Sequence, residues 1–261
     1  MFKMHDLYRL AGTVKTIQFD SLPRFAVFCV LTACNTLHRS LFQEKPFLLV
    51  INGKRFELRV GKGEYDFLYE TNVKRVYEPS DDFVPGPADV AVDVGANFGS
   101  ASIQWHRKIT RGVIYAIEPH PDTFQRLLRH IELNRAEKVV KPFCTALGAK
   151  DGMLSLFLSE AGTMAMKTRS ATYGGSQMRV PCLTLDSFAE TQNVDHIDLI
   201  KIDVEGFESD VLRGAAQMLE NTRRVVLEYH SPALKERCSN MLSNAGFDLF
   251  AEGSLIFARK K

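Results

Sequence analysis

Asp93, Glu118, Asp203, Glu205 and His230 are the side chains whose types and spacing could do chemistry in this chain. The first lies in Val90-Ala91-Val92-Asp93-Val94, an apolar run that passes directly into Gly95-Ala96-Asn97-Phe98-Gly99 and then into a helical pattern. A strand buried on both faces reads as a short continuous apolar run, and a helix starting at its carboxyl end aims unpaired N–H groups at whatever binds there. Gly95 and Gly99 let the backbone turn and let a ligand approach closely. A dinucleotide fingerprint would read G-x-G-x-x-G, whereas this loop is Gly-x-x-x-Gly with Asp93 two positions before the first glycine. A carboxylate there repels pyrophosphate and attracts a cation, which favours the ammonium and sulfonium of S-adenosylmethionine. A tight turn with a capping Asp is the plainer alternative.

Glu118 ends a second apolar run, Gly112 to Ile117, and follows Asp93 by 25 residues. A nucleotide-binding unit places an acid on ribose hydroxyls at about 20 residues, so Glu118 is expected to be the ribose ligand. The third signal is Ile197-Asp198-Leu199-Ile200-Lys201-Ile202-Asp203-Val204-Glu205-Gly206. Charge inside an apolar strand is costly unless paired or used. Asp203 and Glu205 could hold the methionine end of the cofactor, orient a substrate hydroxyl or bind a divalent cation. An ion pair from Lys201 to a carboxylate, fixing the strand, would account for the pattern without chemistry.

Together these segments resemble the FkbM family of S-adenosylmethionine-dependent methyltransferases. The residues that carry the resemblance are Asp93-Val94-Gly95-Ala96-Asn97-x-Gly99, Glu118-Pro119-x-Pro121, Ala146-Leu147-Gly148, Leu185-Asp186, Lys201 to Gly206 with Glu208, Val211-Leu212-x-Gly214-Ala215 and Glu228, with Tyr77-Glu78-Pro79 upstream. The match runs from about Tyr65 to Ala258, and its order and spacing are far more specific than one glycine motif. The resemblance implies a Rossmann-like class I methyltransferase fold: α/β, with a mostly parallel seven-stranded sheet and an antiparallel edge strand. It implies O-methylation of a hydroxyl on a sugar, polyketide or related metabolite, with a small molecule or glycan as acceptor. It also implies S-adenosyl-L-methionine bound by Asp93, Gly95, Asn97, Gly99, Glu118, Pro119, Ala146 and Asp203.

Methyl transfer from a sulfonium is an in-line displacement, so catalysis asks for alignment and for removal of the hydroxyl proton. His230 is the first candidate base, because Glu228-Tyr229-His230 leaves the fifth expected strand beside the site and imidazole titrates near neutral pH. Asp203 and Glu205 are the alternatives, directly or through a divalent cation. His230 could instead be a loop residue capping the helix near Ser231-Pro232. No residue is assigned as a metal ligand: no Cys/His group has zinc spacing, and any ion site would be oxygen-rich. A nicotinamide oxidoreductase would need a glycine where Ala96-Asn97 stands, and a nucleobase amino-methyltransferase an Asn/Asp-Pro-Pro-aromatic run where Asp203-Val204-Glu205-Gly206 stands. A non-catalytic module binding S-adenosylmethionine or a nucleotide stays open, since fold does not establish activity.

The elements that must position these residues follow an alternating α/β pattern. Val139 to Leu147 reads as the third core strand and Arg223 to Glu228 as the fifth. Leu234, Cys238, Met241, Leu242 and Ala245 recur at helical spacing, and Phe247 to Phe250 with Leu255 to Ala258 fit a closing hairpin. Between the third and fourth strands, Met153 to Leu158 and Met178 to Leu185 bracket a small polar loop, Thr168 to Ser176. If that loop covers the site, Arg169 and Tyr173 are substrate contacts. Upstream, Asn52-Gly53 between Phe47 to Ile51 and Arg55 to Val60 is a type I′ hairpin signal, and Pro79 to Pro87 reads as a connector. The expected organisation is an N-terminal helical segment and hairpin over 1–85 and the methyltransferase domain over 86–261.

Composition adds exclusions. With 45% hydrophobic and 25% charged residues, 261 residues can bury a full core, and a net charge of +2 with scattered basic residues offers no groove for nucleic acid. The cysteines, Cys29, Cys34, Cys144, Cys182 and Cys238, are odd in number and widely spaced, which suits free thiols in a reducing compartment. Phe25 to Leu37 is apolar but shorter than the roughly 20 residues of a transmembrane span. More than twenty mixed residues precede it, which counts against a signal peptide, and exported protein could not reach cytosolic S-adenosylmethionine. It is expected to be a helix packing on the catalytic domain rather than a homodimer or membrane-surface contact, and the protein is expected to be cytoplasmic.

Overall fold

The computed structural model describes residues 16–18, 47–59, 64–158, 164–165 and 177–261. The chain divides into two compact units, Met1–Lys74 and Arg75–Lys261. In the first, β1 (Thr16–Gln18) runs parallel to β2 (Phe47–Ile51), which pairs antiparallel with β3 (Lys54–Leu58). Asn52 and Gly53 join β2 to β3 at φ of 49° and 72°, the paired left-handed geometry that the Asn-Gly signal predicts. A short helix α1 (Glu64–Leu68) continues into a wider π-helical stretch, Tyr69–Lys74. The segment Phe25 to Leu37, with the packing expected of it and the homodimer or membrane-surface contact that was the alternative, lies outside the described residues, as do Cys29 and Cys34.

The second unit is built on the seven-stranded, mostly parallel sheet that the sequence leads one to expect. Its first half runs β4 (Val90–Val94), α2 (Ser100–His106), β5 (Val113–Ile117), α3 (Pro121–Asn134) and β6 (Val140–Phe143). The chain then leaves the sheet through β7 (Ala146–Leu147), β8 (Gly152–Leu158), β9 (Met164–Ala165) and β10 (Gln177–Leu183). It returns through α4 (Leu185–Gln192), β11 (Leu199–Ile202), α5 (Glu208–Arg213), β12 (Arg224–Glu228), α6 (Pro232–Asn244), β13 (Phe247–Glu252) and β14 (Leu255–Lys260). The sheet order is β13-β14-β12-β11-β4-β5-β6. The chain thus winds outward from β4 in both directions, and the β4/β11 boundary is the switch point at which such sheets bind ligands. The antiparallel strand is β14, one place in from the edge, because the β13–β14 hairpin folds its second arm inward onto β12.

The central strands are apolar because both faces are covered: Val92, Val94, Ile200, Ile202, Val225 and Leu227 are buried in one core with Phe188, Val211, Leu212 and Leu242 from the helices. Helix starts are specified locally. Thr184 Oγ1 accepts from Ser187 N at 3.0 Å and Ser231 Oγ from Leu234 N at 3.2 Å, with Pro232 in the first turn of α6. The connector before β4 is latched by Arg224, which donates to the carbonyls of Asp82 (2.8 Å), Val84 (3.2 Å) and Asp198 (2.9 Å) and pairs with Asp89.

The run Val139 to Leu147 is not one strand. It breaks at Cys144-Thr145, and Ala146-Leu147 pairs parallel with Cys182-Leu183 in a second, four-stranded sheet of order β7-β10-β8-β9. β8 and β10 pair antiparallel as the brackets of the insertion, while Thr168 to Ser176, with Arg169 and Tyr173, lies outside the described residues. After β11, α5 ends at Arg213 with Gly214 as its cap, and only a short turn at Met218–Asn221 follows before β12. Cys144, Cys182 and Cys238 are free thiols. Among the described residues, no helix is long and apolar enough to cross a membrane.

Candidate functional site

The carboxyl ends of β4, β5, β11 and β12 bring most of the expected residues to one edge of the sheet. After β4 the loop turns through left-handed conformations at Gly95 (φ 76°), Asn97 (52°) and Gly99 (91°). Gly95 N and Ala96 N donate to the carbonyl of Ile117 at 3.0 and 2.9 Å, tying the loop to the end of β5. A Cβ on Gly95 would stand 1.9 Å from the carbonyl oxygen of Asp203, so only glycine lets β4 and the β11 turn approach this closely. Gly99 starts α2, and a Cβ there would meet Leu127 Cδ1 at 2.6 Å.

Glu118 is buried beneath this loop, its Oε2 accepting from Asn97 N at 2.9 Å and its Oε1 from His120 N at 2.8 Å. Burial raises its pKa to about 7, against the lowering effect of those two amides and of the Lys201 charge. A carboxylate offers about four lone-pair positions, so two are left for a ligand's hydroxyls. Pro119 is buried behind it, with its carbonyl 3.9 Å from Cys144 Sγ.

A second group lies on the β4/β11/β12 side. Asp93 and Lys201 face each other in register across β4 and β11, both essentially inaccessible, with Nζ 3.1 Å from Asp93 Oδ1. Lys201 Nζ also donates to the Gly95 carbonyl at 2.7 Å and lies 3.6 Å from Asp203 Oδ2 and 5.5 Å from the Tyr77 ring centre. Burial alone would lower the Lys201 pKa, but Asp93 and Asp203 outweigh it and hold the ammonium charged. Ser102 Oγ donates to Asp93 Oδ2 at 2.6 Å. The cation that Asp93 faces is therefore supplied by the chain itself, and the expectation of a carboxylate presented to a ligand gives way to an internal ion pair.

Asp203 accepts from Tyr77 Oη at 3.2 Å. Burial, followed by the charges of Asp203, Glu228 and Asp93, pushes the Tyr77 phenol well up, so it stays a donor. Glu205 sits in a turn at φ 52° and is exposed. His230 directs Nε2 at these acids, 3.8 Å from Asp203 Oδ1 and 3.5 Å from Glu205 Oε2, while its Nδ1 is 2.7 Å from Glu208 Oε1. Burial depresses the imidazole pKa, but the Glu208 hydrogen bond and the charges of Glu205, Glu208 and Asp203 win and raise it to about 9. A folded-state value above the unfolded one means that this cluster stabilises the fold fully below about pH 6.5. That contribution is lost as pH rises through about 9. The helix cap expected as an alternative use of His230 is taken by Ser231.

Ala146 does not extend β6 as the third core strand was expected to. It is a core residue of β7 whose backbone pairs with Cys182, because the chain has already left the main sheet. Tyr77 and Glu208 join the site without having been singled out for a role; both stand in the quoted motifs, and nothing in their local spacing shows that they reach Asp203 and His230. Glu228, also buried enough to be raised in pKa, adds a fifth carboxylate to Asp93, Asp203, Glu205 and Glu208, against the two cations Lys201 and His230. This surplus of negative charge suits a cationic ligand, and the glycine loop over Glu118 suits its nucleoside end.

Comparison with known proteins agrees with this geometry. Residues 93–250 match a family model described as the methyltransferase FkbM domain. The chain is 32% identical over 159 residues to the hexuronic acid methyltransferase AglP of Haloferax volcanii, the alignment covering 60% of this chain and 62% of that protein. It is 28% identical over 226 residues to methyltransferase sdnD of Sordaria araneosa, covering 73% and 85%. To the 2-O-methyltransferase NoeI of Sinorhizobium fredii it is 25% identical over 166 residues, covering 58% and 67%. The chain thus spans less than two thirds of the length of the Haloferax relative.

Proposed function

Since the chain belongs to the FkbM methyltransferase family, we propose that it transfers the methyl group of S-adenosylmethionine to a hydroxyl of a sugar, polyketide or related small molecule or glycan. The observation that carries this reading is the convergence, at one carboxyl edge of the sheet, of a glycine loop set over a buried acid and an acid-rich cluster that holds a histidine. When bound, the cofactor supplies an activated methyl group whose sulfur leaves as a neutral thioether. Glu118 receives the ribose hydroxyls, Gly95, Asn97, Gly99 and Pro119 shape the loop against the nucleoside, and Asp203 faces the methionine end. Asp93 acts through Lys201, which sets the position of the Gly95 carbonyl. The methyltransferase domain over 86–261 carries the chemistry, beside the extension over 1–85, and Tyr77, which belongs to the same compact unit as Asp203, joins the site. The cytoplasm is the compartment proposed, because S-adenosylmethionine is made there.

His230 is the base. With its pKa raised to about 9 the imidazole is protonated at neutral pH in the free protein, and a cationic donor arriving beside it favours release of that proton. The pH dependence of kcat/KM reports ionisations of the free enzyme. It is expected to rise between pH 7 and about 9 and then level. A profile flat from pH 7 upward would remove His230 from the role and leave it to Asp203 or Glu205.

Asp203, Glu205 and His230 also offer ligand atoms that all lie within 4.8 Å of one another, a spacing that a divalent cation could bridge. We assign them to proton handling, because charge is lost rather than built up in sulfonium methyl transfer and alignment supplies most of the rate. Activity is expected to survive dialysis against EDTA unchanged. Loss of activity that Mg²⁺ or Mn²⁺ restores would turn the three into ligands. The test of function itself is incubation with S-adenosylmethionine and a panel of uronic acids, neutral sugars and polyketides, with product read by mass spectrometry. S-adenosylmethionine binding without turnover on any of them would favour the non-catalytic module.

A further inference from the structure

Glu208 is fully buried, and the reading above gives it no contact with donor or acceptor. Its Oε1 accepts two hydrogen bonds from separate parts of the chain: Gly206 N at 2.8 Å and His230 Nδ1 at 2.7 Å. Gly206 belongs to the turn that carries Glu205, while His230 follows β12. One oxygen on the first turn of α5 thus binds together the candidate base and the backbone beside one of the carboxylates facing that base. Since an ionised carboxylate only accepts, Nδ1 carries the proton that it receives. Glu208 Oε2 is buried and has no hydrogen-bond partner among the described residues, so His230 is the near charge that balances this acid.

We propose that Glu208 is a positioning residue: it fixes the imidazole of His230 with Nδ1 inward and Nε2 directed at Asp203 and Glu205, and it sets the Glu205 turn through Gly206. This use of His230 as base rests on the methyltransferase reading. The hydrogen-bond arrangement does not. A buried acid that holds the far nitrogen of a histidine fixes its tautomer and orientation, and stabilises the imidazolium once formed. Other groups act on the same ring: the carboxylates of Asp203 and Glu205 face Nε2, and the Glu228 charge from β12 also reaches it. Removing Glu208 should therefore reduce but not abolish the preference for imidazolium.

The experiment pairs spectroscopy on the full chain with kinetics. Imidazole ¹⁵N shifts of His230 are followed against pH in the wild type and in Glu208→Gln, whose amide oxygen can still accept from both donors but carries no charge. Nδ1 is expected to be protonated throughout in the wild type, and the midpoint to fall by about one pH unit or more in Glu208→Gln, since one unit is a tenfold change in proton affinity. In turnover, Glu208→Ala should lower kcat about 10²-fold, the lower end of what a base contributes, with KM for S-adenosylmethionine changed less than about threefold. Glu208→Asp should recover part of the loss. The double variant Glu208→Ala/His230→Ala should be no slower than His230→Ala alone, as for residues acting as a unit. An unchanged His230 midpoint in Glu208→Gln, or losses that multiply in the double variant, would overturn the proposal. If Glu208→Ala does not fold, the Glu208→Gln titration decides alone. A wild type that transfers no methyl group would sink the functional reading, while the ¹⁵N titration would still decide the pairing of Glu208 with His230.

Discussion

Lys201→Met is expected to cost about 3–5 kcal/mol of folding stability at pH 7, the range for stripping one partner from a buried ion pair. Asp93 would be left inaccessible and without its ion-pair partner, with Ser102 Oγ its remaining hydrogen-bond donor, and Asp203 would keep Tyr77 but lose the nearest cation. The Gly95 carbonyl would lose its Nζ donor as well, so the cofactor loop should loosen along with the fold. Urea denaturation followed by circular dichroism measures the cost. Lys201→Met/Asp93→Asn should regain part of it, because removing both charges avoids the uncompensated one. A loss below about 1 kcal/mol would place the pair in a far more solvated setting than the structure gives it.

Gly95→Ala is expected to abolish cofactor binding and to destabilise strongly, for two separable reasons. The backbone there is left-handed, which costs a residue with a Cβ about 1–2 kcal/mol. The Cβ would also stand 1.9 Å from the Asp203 carbonyl, forcing apart the ends of β4 and β11 where the cofactor loop and Asp203 meet. Gly246 separates these costs. Its φ is 83°, close to that of Gly95, yet nothing lies within 4 Å of the place its Cβ would take. Gly246→Ala should therefore lose only about 1–2 kcal/mol and keep its ligand affinity. Equal behaviour of the two variants, in denaturation and in S-adenosylmethionine titration, would mean that the loop yields where the structure holds it fixed.

Much of this site was legible because its determinants are local. Val90 to Val94, Val113 to Ile117 and Leu199 to Ile202 read as buried strands since both faces are covered, and the acids at their ends then fall on one edge. The Asn52-Gly53 hairpin and the helix opened by Ser231-Pro232 are likewise written in a few adjacent residues. What escaped depends on partners far away in sequence. Asp93 looks like a ligand for a cation until Lys201 is seen opposite it, a contact set by the register of β11 on β4. Val139 to Leu147 is uniform in character, and only the later strand β10 draws Ala146-Leu147 out of the main sheet. Tyr77 and Glu208 meet Asp203 and His230 across 126 and 22 residues respectively, distances over which no periodicity speaks.

The most direct test of the account is thermal unfolding with and without S-adenosylmethionine, S-adenosylhomocysteine and NAD, in the wild type and in Glu118→Ala. A ligand that binds only the folded state at 100 times its Kd stabilises by about 2.7 kcal/mol. Because Glu118 also accepts from Asn97 N and His120 N, the variant is judged by its ligand-dependent shift rather than by its own melting temperature. A rise is expected with the two sulfur nucleosides, none with NAD, and loss of the rise in Glu118→Ala. No rise at saturating S-adenosylmethionine, or a rise with NAD in its place, would contradict it.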